Sequence, residues 1–350
     1  MRAAQFHRNT GKIQVNEVPI PEPEGTDILV KIKSASLCHS DIMAIEGWTP
    51  TPSSVKPITL GHEGAGIVEK LGSKVTGFRP GDRVGFLYIT GCCFECEACK
   101  VYNLYCTKGA PRIQGMTEGS DGFFAEYAVV DYRNAIVLPE AIKIETASPL
   151  FCGGIAGNSL TLVAFHTVES CGLNPGEWLV VVGCGGLGQA AVQYAKAMGI
   201  KVIGLDINDE TLAESKRVGA DLTFNSATNS NYLDEIRKAT GGGAHAAAVY
   251  SASIAAYENA KIALRIGGLL MAVGLPAKTF QVNLTEIITG LYRLKGDCTG
   301  IPQRMSRAIE FTAQHNIQPN VVSFHKLEDV PDMITKMRAQ KSTGRMAVLF

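Results

Sequence analysis

The sequence predicts an α/β protein in which a β-rich, barrel-like region precedes a doubly wound parallel sheet. Short strand candidates broken by prolines at 19, 21, 23, 50, 52, 57 and 80 fill residues 1–90. A continuous apolar run, Trp178-Leu179-Val180-Val181-Val182, then meets a glycine-rich turn. Beyond that turn, apolar strands alternate with segments of helical spacing, the pattern of parallel strands joined by crossover helices.

In chain order, Ile28 to Lys33 and Gly66 to Leu71 read as strands, and the prolines around them exclude helix. Phe78-Arg79-Pro80-Gly81-Asp82-Arg83-Val84 reads as a turn feeding a strand. Trp178 to Val182 has the unbroken apolarity of a strand buried on both faces. Gln189 to Met198 follows as a helix, Lys201 to Asp206 as a strand and Thr211 to Val218 as a helix. Ala246 to Tyr250 and Gly268 to Val273 are the later strands, with a helix around 254–265 between them.

A length of 350 residues suits two domains, and 46% hydrophobic against 19% charged residues supports a sizeable core. Lys plus Arg and Asp plus Glu are both 33, so the formal charge is zero and nothing in it calls for nucleic acid or an anionic membrane. The start, Met1 to Phe6, has no apolar stretch of the signal-peptide kind behind it, and no apolar run reaches the ~18 residues of a membrane span. A cytoplasmic protein is the expectation.

Gly183-Cys184-Gly185-Gly186-Leu187-Gly188 supplies the G-x-G-x-x-G spacing. The glycines allow a tight turn and a close approach of pyrophosphate to backbone N–H groups, and the following helix aims its positive end at the phosphates. Such a turn alone is weak evidence. Here it follows a buried strand and opens a helix, and Asp206 ends the next strand 18 residues after Gly188. A carboxylate there accepts hydrogen bonds from a ribose 2′-hydroxyl and repels a 2′-phosphate, so NAD is expected over NADP. The bland alternative for Asp206 is a capping or solvent-facing acid.

Five of the ten cysteines lie between Cys92 and Cys106. Cys93-x2-Cys96-x2-Cys99-x6-Cys106 places four sulfurs on one loop, enough to close a tetrahedral zinc site, which would then be structural. An iron–sulfur cluster begins with the same spacing, and a loop without metal is the third reading. Cys92 is left over as a bystander. A second set is Cys38 in Cys-His-Ser-Asp, His62 in Gly-His-Glu, and Cys152. Two thiolates and one imidazole leave zinc an open position, the arrangement of a catalytic site, where the ion polarises a carbonyl or acidifies an alcohol. Taken singly, each is more often a core cysteine or a hydrogen-bonded histidine.

Together with these motifs, Gly61-His62-Glu63-x2-Gly66-x5-Gly72-x2-Val75 resembles the zinc signature of the medium-chain alcohol dehydrogenases, and the resemblance runs from the proline-rich start to Gly344-Arg345. It implies a GroES-like β-rich catalytic domain at 1–153, interrupted by a Rossmann domain at 154–298 and resumed at 299–350. It implies two zinc ions per chain, one held by Cys38, His62 and Cys152 and one by Cys93, Cys96, Cys99 and Cys106. Glu63 would stand beside the first and exchange onto it. Asp41 would steer the His62 imidazole and Ser40 would pass the alcohol proton outward as hydride goes to the nicotinamide of NAD. His39 and Arg345 would hold the pyrophosphate, Val273 and Leu275 would line the nicotinamide, and Trp48 and Tyr88 would narrow the substrate pocket. Relatives of this length are homo-oligomers, tetramers or dimers.

The chain departs from that pattern at four places. A seven-residue insertion, 156–162, stands between Cys152 and the resumed Val163-Ala164-Phe165, and puts Val163 or Thr161 where a threonine is expected near the nicotinamide. Met43 replaces a relay histidine, Cys99 to Cys106 is one residue short, and Thr211 stands where a lysine often supports the ribose. Two rivals follow: a zinc-free quinone or enoyl reductase of the same superfamily, against which both ligand sets speak, and a non-catalytic nucleotide-binding protein spoiled by the insertion. Polyol dehydrogenase is a rival at the level of substrate.

Overall fold

The strand Asp27–Ser36 is the spine of the first unit: Ile28, Leu29 and Val30 are all buried, so neighbours cover both its faces. This computed structural model describes residues 1–47, 56–151, 162–276, 278–297, 300–339, 341–342 and 344–350. The chain forms two compact units, Met1–Gly153 with Thr299–Phe350, and Gly154–Cys298.

In the first unit, Glu63–Leu71 runs antiparallel to the spine along almost its whole length, with Ser36 opposite Glu63. Tyr127–Asp131 pairs with the first part of the spine and the last strand, Arg345–Leu349, with its end, where Ala347 faces Ser36. Arg83–Phe86 and Ala135–Val137 extend one side of this seven-stranded sheet and Val321–Phe324 the other. Arg2–His7, Lys12–Glu17 and Ile58–Thr59 make a separate three-stranded sheet. Ile89–Thr90 and Arg112–Ile113 pair as a two-stranded sheet, so the described strands of this unit fall into three sheets, the β-rich region that the sequence indicated. The register has a direct consequence. Because Ser36 and Glu63 face each other, the residues just beyond Ser36 and just before Glu63 leave the sheet side by side, and the start of the last strand arrives next to them.

The second unit is a six-stranded, wholly parallel sheet in the order Leu222–Asn225, Lys201–Asp206, Trp178–Val182, Ala244–Val249, Leu264–Ala272, Tyr292–Gly296. The first strand in sequence lies in the middle, so the winding reverses between it and Ala244–Val249, and its carboxyl end is where such sheets receive ligands. Val180, Val182, Ile203, Leu205, Ala247, Val249 and Leu270 form the core under the helices. The helix after the first strand spans Gly186–Ala197 and begins inside the glycine motif, three residues earlier than its periodicity indicated. The next, Asp209–Arg217, starts early for a chemical reason: the Asn208 side chain accepts the N–H groups of Glu210 and Thr211, an N-cap that hydrophobic spacing does not reveal.

Candidate active site and metal centres

Cys38 follows the spine strand and opens the short helix His39–Ile45, while His62 immediately precedes Glu63. Strand register thus gathers Cys38, His62 and Glu63, whose donor atoms lie within 4.8 Å of one another and are all buried. Asp41 organises them. Its Oδ1 is 2.8 Å from His62 Nδ1 and its Oδ2 accepts the Cys38 N–H at 2.8 Å. With Nδ1 taken up by the carboxylate, Nε2 is the nitrogen left for a metal, the arrangement that fixes the tautomer of ligating histidines. Burial pulls the His62 pKa down, but the Asp41 carboxylate and the Cys38 sulfur outweigh it, and the imidazole titrates well above its ordinary value. Such a cluster of acid, thiol and imidazole is short of a cation, and a divalent ion supplies one. The donor set fits zinc.

Glu63 accepts hydrogen bonds from the Ser36 hydroxyl and the Arg345 guanidinium, whose Nε lies 3.3 Å from Oε2. Burial pushes its pKa up to about 7, against the pull of Arg345. Arg345 is itself buried, so its charge is answered here by Glu63. Ser40 is fully buried, with Oγ 3.6 Å from Cys38 Sγ. The Tyr88 ring meets His62 edge-on, 4.9 Å between centroids. His39 is exposed. Trp48, Cys152 and residues 156–161 of the insertion lie outside the described residues. Leu162 opens the helix Leu162–Ser170, so Val163 is buried in its first turn.

The sulfurs of Cys93, Cys96, Cys99 and Cys106 also converge within 4.8 Å. Cys93 lies 3.9 Å from Cys99 and 3.6 Å from Cys106, sulfur to sulfur. A tetrahedron with ~2.3 Å zinc–sulfur bonds has edges of about 3.8 Å, so the spacing fits a closed four-thiolate site. Backbone N–H groups of Thr107 and Cys99 draw the Cys96 thiol down to about 5, and that of Cys93 lowers Cys106, while burial raises Cys99. Cys92 points elsewhere: its Sγ donates to the Asn103 carbonyl at 3.2 Å, and burial pushes it up to about 12.

In the second unit the three motif glycines have three different neighbourhoods. Gly183 has φ +91°, a turn geometry that favours glycine. A Cβ on Gly188 would stand 2.0 Å from the Gly183 carbonyl oxygen, so the helix packs on the turn only without a side chain there. A Cβ on Gly185 would meet nothing within 4 Å, so this residue borders open space at the helix N-terminus. Gly186 and Leu187 form the first turn of that helix. Asp206 accepts the N–H groups of Cys184 at 2.6 Å, Ile207 at 2.7 Å and Asn208 at 3.0 Å. A carboxylate offers about four acceptor positions, so one remains for a ligand hydroxyl. Val273 is buried just past its strand, and Leu275 is 43% exposed. Thr211 returns its hydroxyl to the Asn208 carbonyl at 2.9 Å.

The sequence reading missed Ser36 and the pairing of Arg345 with Glu63. Only strand register brings them together, across 282 residues in the second case.

A parallel nucleotide-type sheet and a buried set of thiol, imidazole and carboxylate donors fit for a metal, carried by one chain, define the class as zinc-binding dehydrogenases. Residues 24–140 match the alcohol dehydrogenase GroES-like domain and residues 186–314 the zinc-binding dehydrogenase domain. An alcohol dehydrogenase of Geobacillus stearothermophilus is 32% identical over 99% of both chains, and one of Schizosaccharomyces pombe is 32% identical over 99% of this chain and 97% of its own. Among solved structures, an NAD-dependent alcohol dehydrogenase superposes over the full length of both chains with TM-score 0.86 at 25% identity. That of Aeropyrum pernix does so with 0.85 at 26%. The chain belongs to the zinc-containing medium-chain alcohol dehydrogenase family.

Proposed function

We propose that this protein is a zinc-dependent alcohol dehydrogenase that moves a hydride reversibly between a carbinol carbon and NAD(H), with two zinc ions per chain. The observation that carries the reading is the buried meeting of Cys38, His62 and Glu63, with Asp41 behind the imidazole. It favours zinc chemistry over the zinc-free reductase reading.

Zinc held by Cys38, His62 and Cys152 would act as a Lewis acid that acidifies an alcohol and polarises a carbonyl. Asp41 keeps the His62 ring oriented and its Nδ1 engaged, which assigns ligation to Nε2. Ser40 takes the hydroxyl proton of the alcohol and passes it outward. Glu63, fixed by Arg345 and Ser36, balances charge next to the ligands and is close enough to replace one of them. Tyr88, against His62, and Trp48 narrow the pocket toward small alcohols, and burial of the whole cluster excludes water and strengthens its field.

On the cofactor side, Gly183, Gly185, Gly186, Leu187 and Gly188 seat the pyrophosphate, and His39 and Arg345 help hold it. Asp206 takes a ribose hydroxyl, which favours NAD over NADP, and Val273 and Leu275 line the nicotinamide. Large apolar side chains stand exposed at Ile262, Ile266, Leu284, Ile288, Leu291 and Leu294, which supports a homo-oligomer. No described helix is long and apolar enough to cross a membrane. Eight described cysteines are free of disulfides, which supports a reducing, cytoplasmic setting.

Cys38→Ser tests the site. Alcohol-dependent NAD reduction should fall by at least about a hundredfold, roughly 2.7 kcal/mol of transition-state stabilisation, while NADH binding followed by fluorescence stays near wild type. Retained turnover would sink the assignment.

A further inference from the structure

Phe94 lies inside the four-cysteine loop, between Cys93 and Cys96, and its backbone has φ +64°, a region disfavoured for a residue with a large side chain. Its backbone acts on the Cys99 thiol against the upward push of burial. The ring of Phe94 lies under the guanidinium of Arg133, 4.3 Å from its centroid. Arg133 is fixed in turn by Asp131, through Nε at 2.9 Å and Nη2 at 2.6 Å, a two-pronged pair. Asp131 also accepts the Arg133 N–H at 3.0 Å and the Thr26 hydroxyl at 3.1 Å, so all of its roughly four acceptor positions are used. It is buried at the end of the strand Tyr127–Asp131, which is paired to the spine of the sheet. The Gln303 amide reaches the Phe94 carbonyl from the helix Pro302–Gln314, at a long 3.5 Å.

We propose that Asp131 and Arg133 form a bracket that, by stacking on the Phe94 ring, holds the cysteine loop closed on its metal and sets the rate at which that metal is lost. Arg133 is a positioning residue. It acts through Phe94, tying a loop whose regular structure is two short helical segments, Glu97–Val101 and Asn103–Tyr105, to a rigid strand. The planar fork is what the task requires: one edge answers the carboxylate while the face covers the ring, and a lysine can do one or the other.

The inference rests on the four-thiolate reading of this loop. Cadmium-113 NMR of the cadmium-loaded, full-length enzyme tests both, because the resonance shifts with the number of bound thiolates and so resolves a four-thiolate site. Loss of that resonance under excess EDTA gives the release rate. Arg133→Ala should speed release on the order of tenfold, the factor that ~1.4 kcal/mol represents. Arg133→Lys should lie nearer to Arg133→Ala than to wild type, and Phe94→Leu should speed release by a similar factor. In the Phe94→Leu background, removing Arg133 should add nothing further. If Arg133→Ala does not fold, Arg133→Lys with Phe94→Leu completes the same cycle. A wild-type release rate in the Arg133 variants, a full rescue by lysine, or independent multiplying effects of the two positions would overturn the bracket. Absence of the four-thiolate resonance in the wild type would overturn the metal reading first and the bracket with it, before any variant is made.

Discussion

Asp206 illustrates how a single side chain is committed before any ligand arrives. Three backbone N–H groups hold its carboxylate at the end of its strand, one of them from Cys184 within the glycine turn. The acid therefore orients the glycine turn, in the proposed role it would also present charge to the ribose, and no lysine stands at Thr211 to offset it. Asp206→Ala should raise use of NADP relative to NAD by roughly ten- to a hundredfold, about 1.4–2.8 kcal/mol, read as the ratio of kcat/KM for the two cofactors. An unchanged ratio would move cofactor choice elsewhere. Asp206 was legible in the sequence because its meaning depends on local spacing from the glycines. Arg345 was legible only through resemblance, and its pairing with Glu63 not at all, because a contact made across the sheet leaves no trace in local pattern.

Among the elements, the turn and helix that begin at Gly183 bring most of the cofactor argument together. Gly185 and Gly188 look alike in the motif, yet their surroundings differ. One borders open space, and the other lies against a carbonyl oxygen. Gly188→Ala should destabilise the protein by roughly 2–4 kcal/mol, since the helix must move off the turn. Gly185→Ala should leave the melting temperature nearly unchanged and weaken NADH binding at least about tenfold, ~1.4 kcal/mol. Equal thermal destabilisation by both would contradict this division. The parallel strands were legible because burial on both faces leaves unbroken apolar runs, as at Trp178–Val182. Helix starts were less so: a polar cap such as Asn208 sets the boundary, and no apolar periodicity marks it. The cysteine loop was readable from spacing alone, but Arg133 and Asp131 carry no signal that links them to it.

At the scale of the whole molecule, two different physical devices gather candidate metal donors. One is a loop whose four sulfurs are near neighbours in sequence, with backbone N–H groups lowering the Cys96 and Cys106 thiols. The other is assembled by strand register from Cys38 and His62, with Asp41 and Arg345 fixing orientation and charge. The first fits an ion that stabilises structure and the second an ion that meets substrate, and the account stands or falls on both being filled in one working enzyme. The most direct measurement is the zinc content of the purified full-length protein by mass spectrometry, paired with NAD reduction over a panel of primary and secondary alcohols. Two zinc ions per chain together with alcohol-dependent turnover is the predicted result. One zinc and no turnover with any alcohol would contradict the account, leaving a folded, nucleotide-binding chain with only its structural metal.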